Sequence, residues 1–199
     1  MDRIVEFYFD VGSPAAYLAW TQMPRIAREA GARIEYKPML LGGVFQATGN
    51  QSPLNIPPKG RYVMSDLERF AHRYGVEFSH NPFFPINTLM LMRGATGVQM
   101  REPSRLVAYG DAVYRAIWVE GRNMNDPAVV APVLQSAGFD PAALMALAAD
   151  PEVKERLKAV TQDAVARGVF GAPTFFVDGH MFWGQDRLDF VKEALEDKA

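Results

Sequence analysis

The chain has 199 residues, 49% of them hydrophobic, with 21 basic and 23 acidic side chains for a net charge of −2. That length suits one domain, or one core carrying an insertion. The charge balance argues against nucleic acid or an anionic membrane as the main partner, since both call for an excess of Lys and Arg. Cysteine is absent, which excludes a disulfide, a thiolate zinc site, an Fe–S cluster and a cysteine nucleophile within the chain. No segment reaches the ~18 uninterrupted apolar residues of a membrane span. Met1-Asp2-Arg3 leads straight into a strand-like run rather than a secretion signal, so a cytoplasmic location is expected.

Ile4-Val5-Glu6-Phe7-Tyr8-Phe9 is β-branched and aromatic, ends at Asp10, and reads as a buried strand. Ser13-Pro14 then opens a helix: Ser is a good cap, and Pro at the first helical position suits its fixed φ and missing N–H. Tyr17, Leu18, Trp20, Ile26 and Ala27 follow at helical spacing until Gly31 stops the run. Arg33-Ile34-Glu35-Tyr36-Lys37 is a second strand closed by Pro38, so the opening is a βαβ unit with parallel strands.

Residues 42–62 hold Gly, Pro, Asn and Ser with little periodicity and read as a long irregular loop, of the kind that binds something. Ser65-Asp66-Leu67-Glu68 has capping-box spacing ahead of an apolar face of Leu67, Phe70, Ala71 and Tyr74. A further helix starts after Pro103 and carries Leu106, Tyr109, Val113 and Ile117 to Gly121. Asp126-Pro127, Asp140-Pro141 and Asp150-Pro151 each predict a helix start, the last striped by Val153, Leu157, Val160 and Ala164. Thr174–Val177 and His180–Trp183 read as strands joined by an Asp178-Gly179 hairpin turn, and a final helix presents Leu188, Val191 and Leu195. The expectation is an α/β core at residues 1–40 and 152–199, interrupted by a loop and a helical domain at 41–151.

Two places could carry chemistry. Ser13 sits between the first strand and the first helix, where α/β folds gather ligands and where a helix N-terminus favours an anion; equally, it could serve only as a cap. Pro173 precedes the third strand, either as a loop proline opening an edge strand or as a cis proline baring backbone groups to a ligand. His72, His80 and His180 lack metal-ligand spacing, so no metal is expected. Met90, Met92, Met100 and Met124 are core filler or line an adaptable apolar cleft.

The order βαβ–helices–ββα resembles a thioredoxin-like fold with a helical insertion. More narrowly, the chain resembles the 2-hydroxychromene-2-carboxylate isomerase family, kin of the kappa-class glutathione transferases, over nearly its whole length. The resemblance is carried by Phe7-Tyr8-Phe9-Asp10-Val11-Gly12-Ser13-Pro14, Gly49-Asn50, Pro58-Lys59-Gly60-Arg61-Tyr62, Phe84-Pro85-Ile86-Asn87-Thr88, Gly171-Ala172-Pro173-Thr174 and Phe182-Trp183-Gly184-Gln185-Asp186-Arg187. Disulfide oxidoreductases of this superfamily place Cys-X-X-Cys where this chain has Ser13-Pro14-Ala15-Ala16, so thiol–disulfide exchange by the protein itself is excluded.

The resemblance implies glutathione as cofactor, with Ser13 as the catalytic residue donating to its thiolate. It implies that the Ala172 backbone, before Pro173, pairs with the cysteinyl part. Gly184, Gln185 and Asp186 hold the γ-glutamyl end, with N-capping as the plain alternative for Asp186, and Trp183 walls the site. Asn50 and Lys59 match polar positions of the long loop, Lys59 facing the glycine carboxylate or simply solvated. Phe45, Asn55, Ile86 and Asn87 are the implied substrate-binding positions. In the naphthalene-pathway enzymes basic loop residues receive the substrate carboxylate; here the matching positions near Phe45 and Ile56 are apolar, and Lys37, Lys59 and Arg61 are the nearby cations. The implied activity is isomerisation of 2-hydroxychromene-2-carboxylate to its open trans-unsaturated pyruvate in aromatic catabolism, by a homodimer acting on a small molecule. A kappa-like transferase or peroxidase and a non-catalytic binding protein are the alternatives.

Overall fold

A computed structural model describes residues 3–197. Four strands form one mixed sheet in the order β2-β1-β3-β4, with β1 spanning Arg3–Phe9, β2 Ala32–Pro38, β3 Thr174–Val177 and β4 His180–Trp183. β1 pairs parallel with β2 and antiparallel with β3, and β3 pairs antiparallel with β4. The apolar residues on successive positions at the end of β1, Phe7-Tyr8-Phe9, follow from burial on both faces. Val5, Phe7 and Phe9 enter the main core, whereas Tyr8 enters a second cluster with Met39, Val44, Val160, Ala164, Val169 and Phe176.

The main core is aromatic at its centre. Trp20 lies 5.0 Å from Phe9, 4.7 Å from Tyr36 and 5.3 Å from Tyr114, ring centre to ring centre. Its Nε1 donates to Asp111 at 2.7 Å, which satisfies the one polar group such a ring brings inward. Helix α1 (Pro14–Glu29) supplies Trp20 and crosses between β1 and β2, as the sequence predicts.

The expectation of a long loop at 42–62 is overturned. Helix α2 spans Leu41–Thr48, a short 3₁₀ turn spans Pro53–Asn55, and α3 runs Pro57–Tyr74. Pro57 and Pro58 fall in the first turn of α3, where prolines remove no helical bond. Ser65 therefore lies inside α3 rather than capping it, and Lys59 sits on a helix instead of a loop. Helix α4 (Leu89–Arg101) also goes unread in the sequence. It is followed by α5 (Leu106–Trp118), α6 (Pro127–Ser136), α7 (Pro141–Ala149), α8 (Pro151–Ala166) and, after the hairpin, α9 (Leu188–Glu196). Asp126, Asp140 and Asp150 cap α6, α7 and α8 as expected. Among the described residues no single helix is long and apolar enough to cross a membrane.

Candidate active site

Ser13 caps α1 in an extended conformation and is 5% exposed. Its Oγ accepts the Ala16 N–H at 3.1 Å, and its own hydroxyl donates to the Ala172 carbonyl at 2.9 Å. One side chain thus joins the start of α1 to the loop before β3. Pro14 has no N–H, Ala16 is bonded to Ser13 Oγ, and Tyr17 N–H reaches the Ser13 carbonyl at 3.0 Å. The Ala15 N–H is left without a partner among the described residues. An unpaired N–H and a serine hydroxyl at the positive end of a sixteen-residue helix suit a negative charge.

Asp10 holds this corner together. It is 1% exposed, and its carboxylate accepts Gly12 N–H at 2.9 Å, Leu41 N–H at 2.8 Å and the Thr88 hydroxyl at 3.0 Å. The ends of β1, α2 and α4 therefore meet on one side chain. Its carbonyl accepts the Ser13 N–H at 3.0 Å, and Trp118 Nε1 donates to the Val11 carbonyl at 2.8 Å. Burial pushes the Asp10 carboxyl above the usual carboxylate range, against the pull of its three donors. Gly12 is required by closeness: a Cβ there would lie 2.8 Å from Thr88 Cγ2 and 3.9 Å from the Ile86 carbonyl. This places Thr88 and the Ile86 carbonyl beside Gly12, the residue before Ser13.

The Ala172-Pro173 bond is cis, the second of the two readings open from the sequence. Gly184 N–H donates to the Pro173 carbonyl at 3.0 Å, which fastens the end of β4 to this loop. Gly184 has φ +104°, a conformation side chains rarely adopt. Trp183 is 49% exposed, meets Phe170 at 5.0 Å with the rings tilted by 51°, and lies over Gly171, so it forms an outer wall rather than core. Gln185 is buried in a 3₁₀ turn (Gln185–Arg187), and its carbonyl accepts the Tyr74 hydroxyl at 2.7 Å. Asp186 is exposed and pairs with Arg187 at 2.6 Å; it makes no capping bond.

Asn50 Nδ2 donates to the Phe170 carbonyl at 2.8 Å, tying the segment after α2 to the same loop. Lys59 is exposed in the first turn of α3. Phe45 is half-buried on α2, Asn55 is exposed and bonded to Gln51, and Ile86 is 8% exposed. Asn87 is exposed, and its N–H donates to Asn125 Oδ1 at 2.7 Å. Lys37 is committed elsewhere, to Glu35 at 2.7 Å and Glu6 at 3.6 Å. Ser13, Ala172, Pro173, Gly184 and Gln185 are thus linked by direct bonds or chain adjacency, with Asn50 and Trp183 both against Phe170 of the loop before β3. Sequence reasoning passes over Asp10, Thr88, Tyr74 and the Ala15 N–H. Only Asp10 leaves a signal, an Asp two residues before a Gly at a strand end, which favours a side-chain-closed turn.

A family profile described as the DSBA-like thioredoxin domain matches residues 4–196. A 2-hydroxychromene-2-carboxylate isomerase of Sphingobium xenophagum is 35% identical across 99% of this chain and 100% of its own length. Human glutathione S-transferase kappa 1 is 28% identical across 100% of this chain and 93% of its own. A solved 2-hydroxychromene-2-carboxylate isomerase superposes with a TM-score of 0.86 at 31% identity, covering 96% of this chain and 94% of that one. With that fold and full-length likeness, the chain belongs to the DSBA-like thioredoxin family and, within it, to the group of the 2-hydroxychromene-2-carboxylate isomerases.

Proposed function

We propose that the protein is a glutathione-dependent isomerase interconverting 2-hydroxychromene-2-carboxylate-type hemiketals and their open, trans-unsaturated pyruvates. The observation that carries this reading is that the start of α1 presents an unpartnered Ala15 N–H together with the Ser13 hydroxyl, whose Oγ lies 2.9 Å from the carbonyl of Ala172. That set fits a tripeptide thiol: one carbonyl to accept its backbone N–H, and two donors at a helix N-terminus for its sulfur. Relatives named as isomerases and as kappa transferases support an enzyme of this kind.

Bound glutathione would supply a thiolate able to add to the conjugated open form, allow rotation about the resulting single bond, and leave unchanged. The chain's residues do the rest. Ser13 turns its hydroxyl from Ala172 to the sulfur, and Ala172 accepts the cysteinyl N–H in its place. Together with Ala15 N–H this favours the charged sulfur; a fall of about two units from a free thiol pKa near 8.5 makes it mostly thiolate at neutral pH. Asp186 gives up Arg187 to face the γ-glutamyl ammonium beside Gln185. Lys59 faces the glycine carboxylate, Asn50 holds the loop, and Trp183 shields the sulfur from water. Asn55 and Asn87 offer amides to the substrate between Phe45 and Ile86. Arg61 remains as the cation for its carboxylate, since Lys59 meets the glycine carboxylate and Lys37 is occupied.

The test is calorimetric titration of glutathione into the protein with an ultraviolet scan for thiolate. Binding accompanied by thiolate absorbance near neutral pH supports the reading. No binding overturns it, together with the transferase alternative that the kappa relatives suggest. Turnover of 2-hydroxychromene-2-carboxylate with glutathione undiminished separates isomerase from transferase, which would deplete it.

A further inference from the structure

Away from Ser13, helices α4, α5, α6 and α7 line a half-open cavity of about 260 Å³. Its wall contains none of Ser13, Ala172, Trp183 or Gln185, and of the residues given to the substrate above it shares only Asn87. Met90, Met124, Met145, Leu134 and Leu144 supply apolar surface, and Tyr109 adds an aromatic ring. No Asp, Glu, Lys, Arg or His lines it, in a chain whose residues are 22% charged. The Tyr109 hydroxyl is already committed to the Leu91 carbonyl at 2.8 Å. The other polar side chains of the wall are the uncharged amides of Asn87 and Asn125.

Met145 is 63% exposed and Met90 47% exposed, so two flexible thioether chains stand at this cavity with much of their apolar surface in water. Unbranched Met side chains fit themselves to irregular apolar shapes, and a bound ring would cover them. Apolar cavities of about 150 Å³ already accept benzene, and small-molecule sites begin near 300 Å³, so 260 Å³ corresponds to one or two fused rings. A carboxylate would enter without any cation to meet it, which is strongly unfavourable. The site selects against the charged substrate expected at Ser13.

We propose that this cavity is a second binding site, separate from the Ser13 corner, for a small neutral molecule of one or two fused rings carrying an uncharged polar group. It does not depend on the glutathione reading.

The experiment is fluorescence titration with 2-naphthol, compared with its charged analogue 2-naphthoate, in the presence and absence of glutathione. Two variants accompany it: Ala131→Trp fills the cavity from a half-buried wall position, and Met145→Glu puts a charge at an exposed one. The expected result is one-to-one binding of 2-naphthol, with 2-naphthoate about 30-fold weaker or worse. Each variant should weaken 2-naphthol by about tenfold or more while leaving melting temperature and glutathione binding near those of the parent. Failure of 2-naphthol to bind overturns the proposal, as does equal binding of the two probes. Full retention of binding in Met145→Glu and Ala131→Trp, or displacement by glutathione, also overturns it. A dimer that Met145→Glu converts to monomer would assign the cavity to a subunit contact and overturn it too.

Discussion

Replacing Ser13 by alanine deletes one oxygen that makes two bonds, accepting from Ala16 at 3.1 Å and donating to Ala172 at 2.9 Å. The first is a helix cap, worth about 1 kcal/mol, and the second is a neutral hydrogen bond of about 1 kcal/mol net. Ser13→Ala should therefore cost about 1–2 kcal/mol of stability, a fall in Tm of about 2–8 °C for a chain of this size. In the glutathione complex proposed above the same oxygen would donate to a charged sulfur, a bond worth about 1.5–3 kcal/mol. Its loss should raise the bound thiol pKa by about 1–2 units and, by cutting the thiolate fraction at pH 7, lower kcat by about 3–25-fold. Glutathione affinity should change little, because Ala172, Gln185 and Asp186 remain. The assay is hemiketal turnover at saturating glutathione, read beside thiolate absorbance across pH. Ser13→Gly serves as control, since glycine keeps most of the cap but has no hydroxyl. It should lose turnover like Ser13→Ala while melting closer to the parent. Turnover within twofold in Ser13→Ala, or rescue by Ser13→Gly, would refute the role given to the hydroxyl.

Asp10 predicts a pH signature. Because its carboxyl is raised in the folded chain, the folded state holds that proton more tightly than the unfolded state, and stability falls as pH rises from about 4 through the raised pKa. Asp10→Asn loses at least one of three hydrogen bonds but also this slope. Its destabilisation, measured by urea unfolding at several pH values, should be largest in acid and shrink as pH rises; growth with pH would sink the idea. Gly110→Ala should cost about 1–3 kcal/mol by overpacking, because a Cβ there would run into the Trp20 ring; an unchanged melting temperature would contradict that packing. Asp186→Asn should raise the glutathione Kd about tenfold while leaving kcat at saturation within twofold. Equal affinity in calorimetry would remove Asp186 from the site.

The outer elements are legible because each carries local chemistry that context does not override. The run of β1, Ser13-Pro14 before α1, the three Asp-Pro starts and the Asp178-Gly179 turn all appear where expected. Helix α2 is not legible, because Gly42 and Gly43 weaken its propensity and its entry is fixed from afar: Leu40 N–H donates to Thr161 and Leu41 N–H to Asp10. Helix α4 goes unread in a sequence that puts Gly94 and Gly97, poor helix formers, in its interior. Both are packing sites, where a Cβ would meet Tyr109 and Leu147 respectively. At the site, Ser13 and Ala172 can be picked out because they flank a helix start and a strand start. Thr88 and Tyr74 cannot, because their bonds go to Asp10 and to the Gln185 carbonyl, far away in the chain. Such contacts leave no local period or spacing to find.

The register of the sheet bears on how the chain comes into being. β1 is the first strand synthesised, yet its two neighbours emerge at opposite times: β2 soon after it, β3 only when residues 174–177 appear. Through most of translation an apolar, aromatic strand has one open edge, the kind of surface that templates unwanted pairing. Closing that edge requires contact between distant parts of the chain, a slow step by topology alone. Ser13 and Ala172 meet across that late-formed edge, so the Ser13 corner is completed with the last strands rather than with the first stable core.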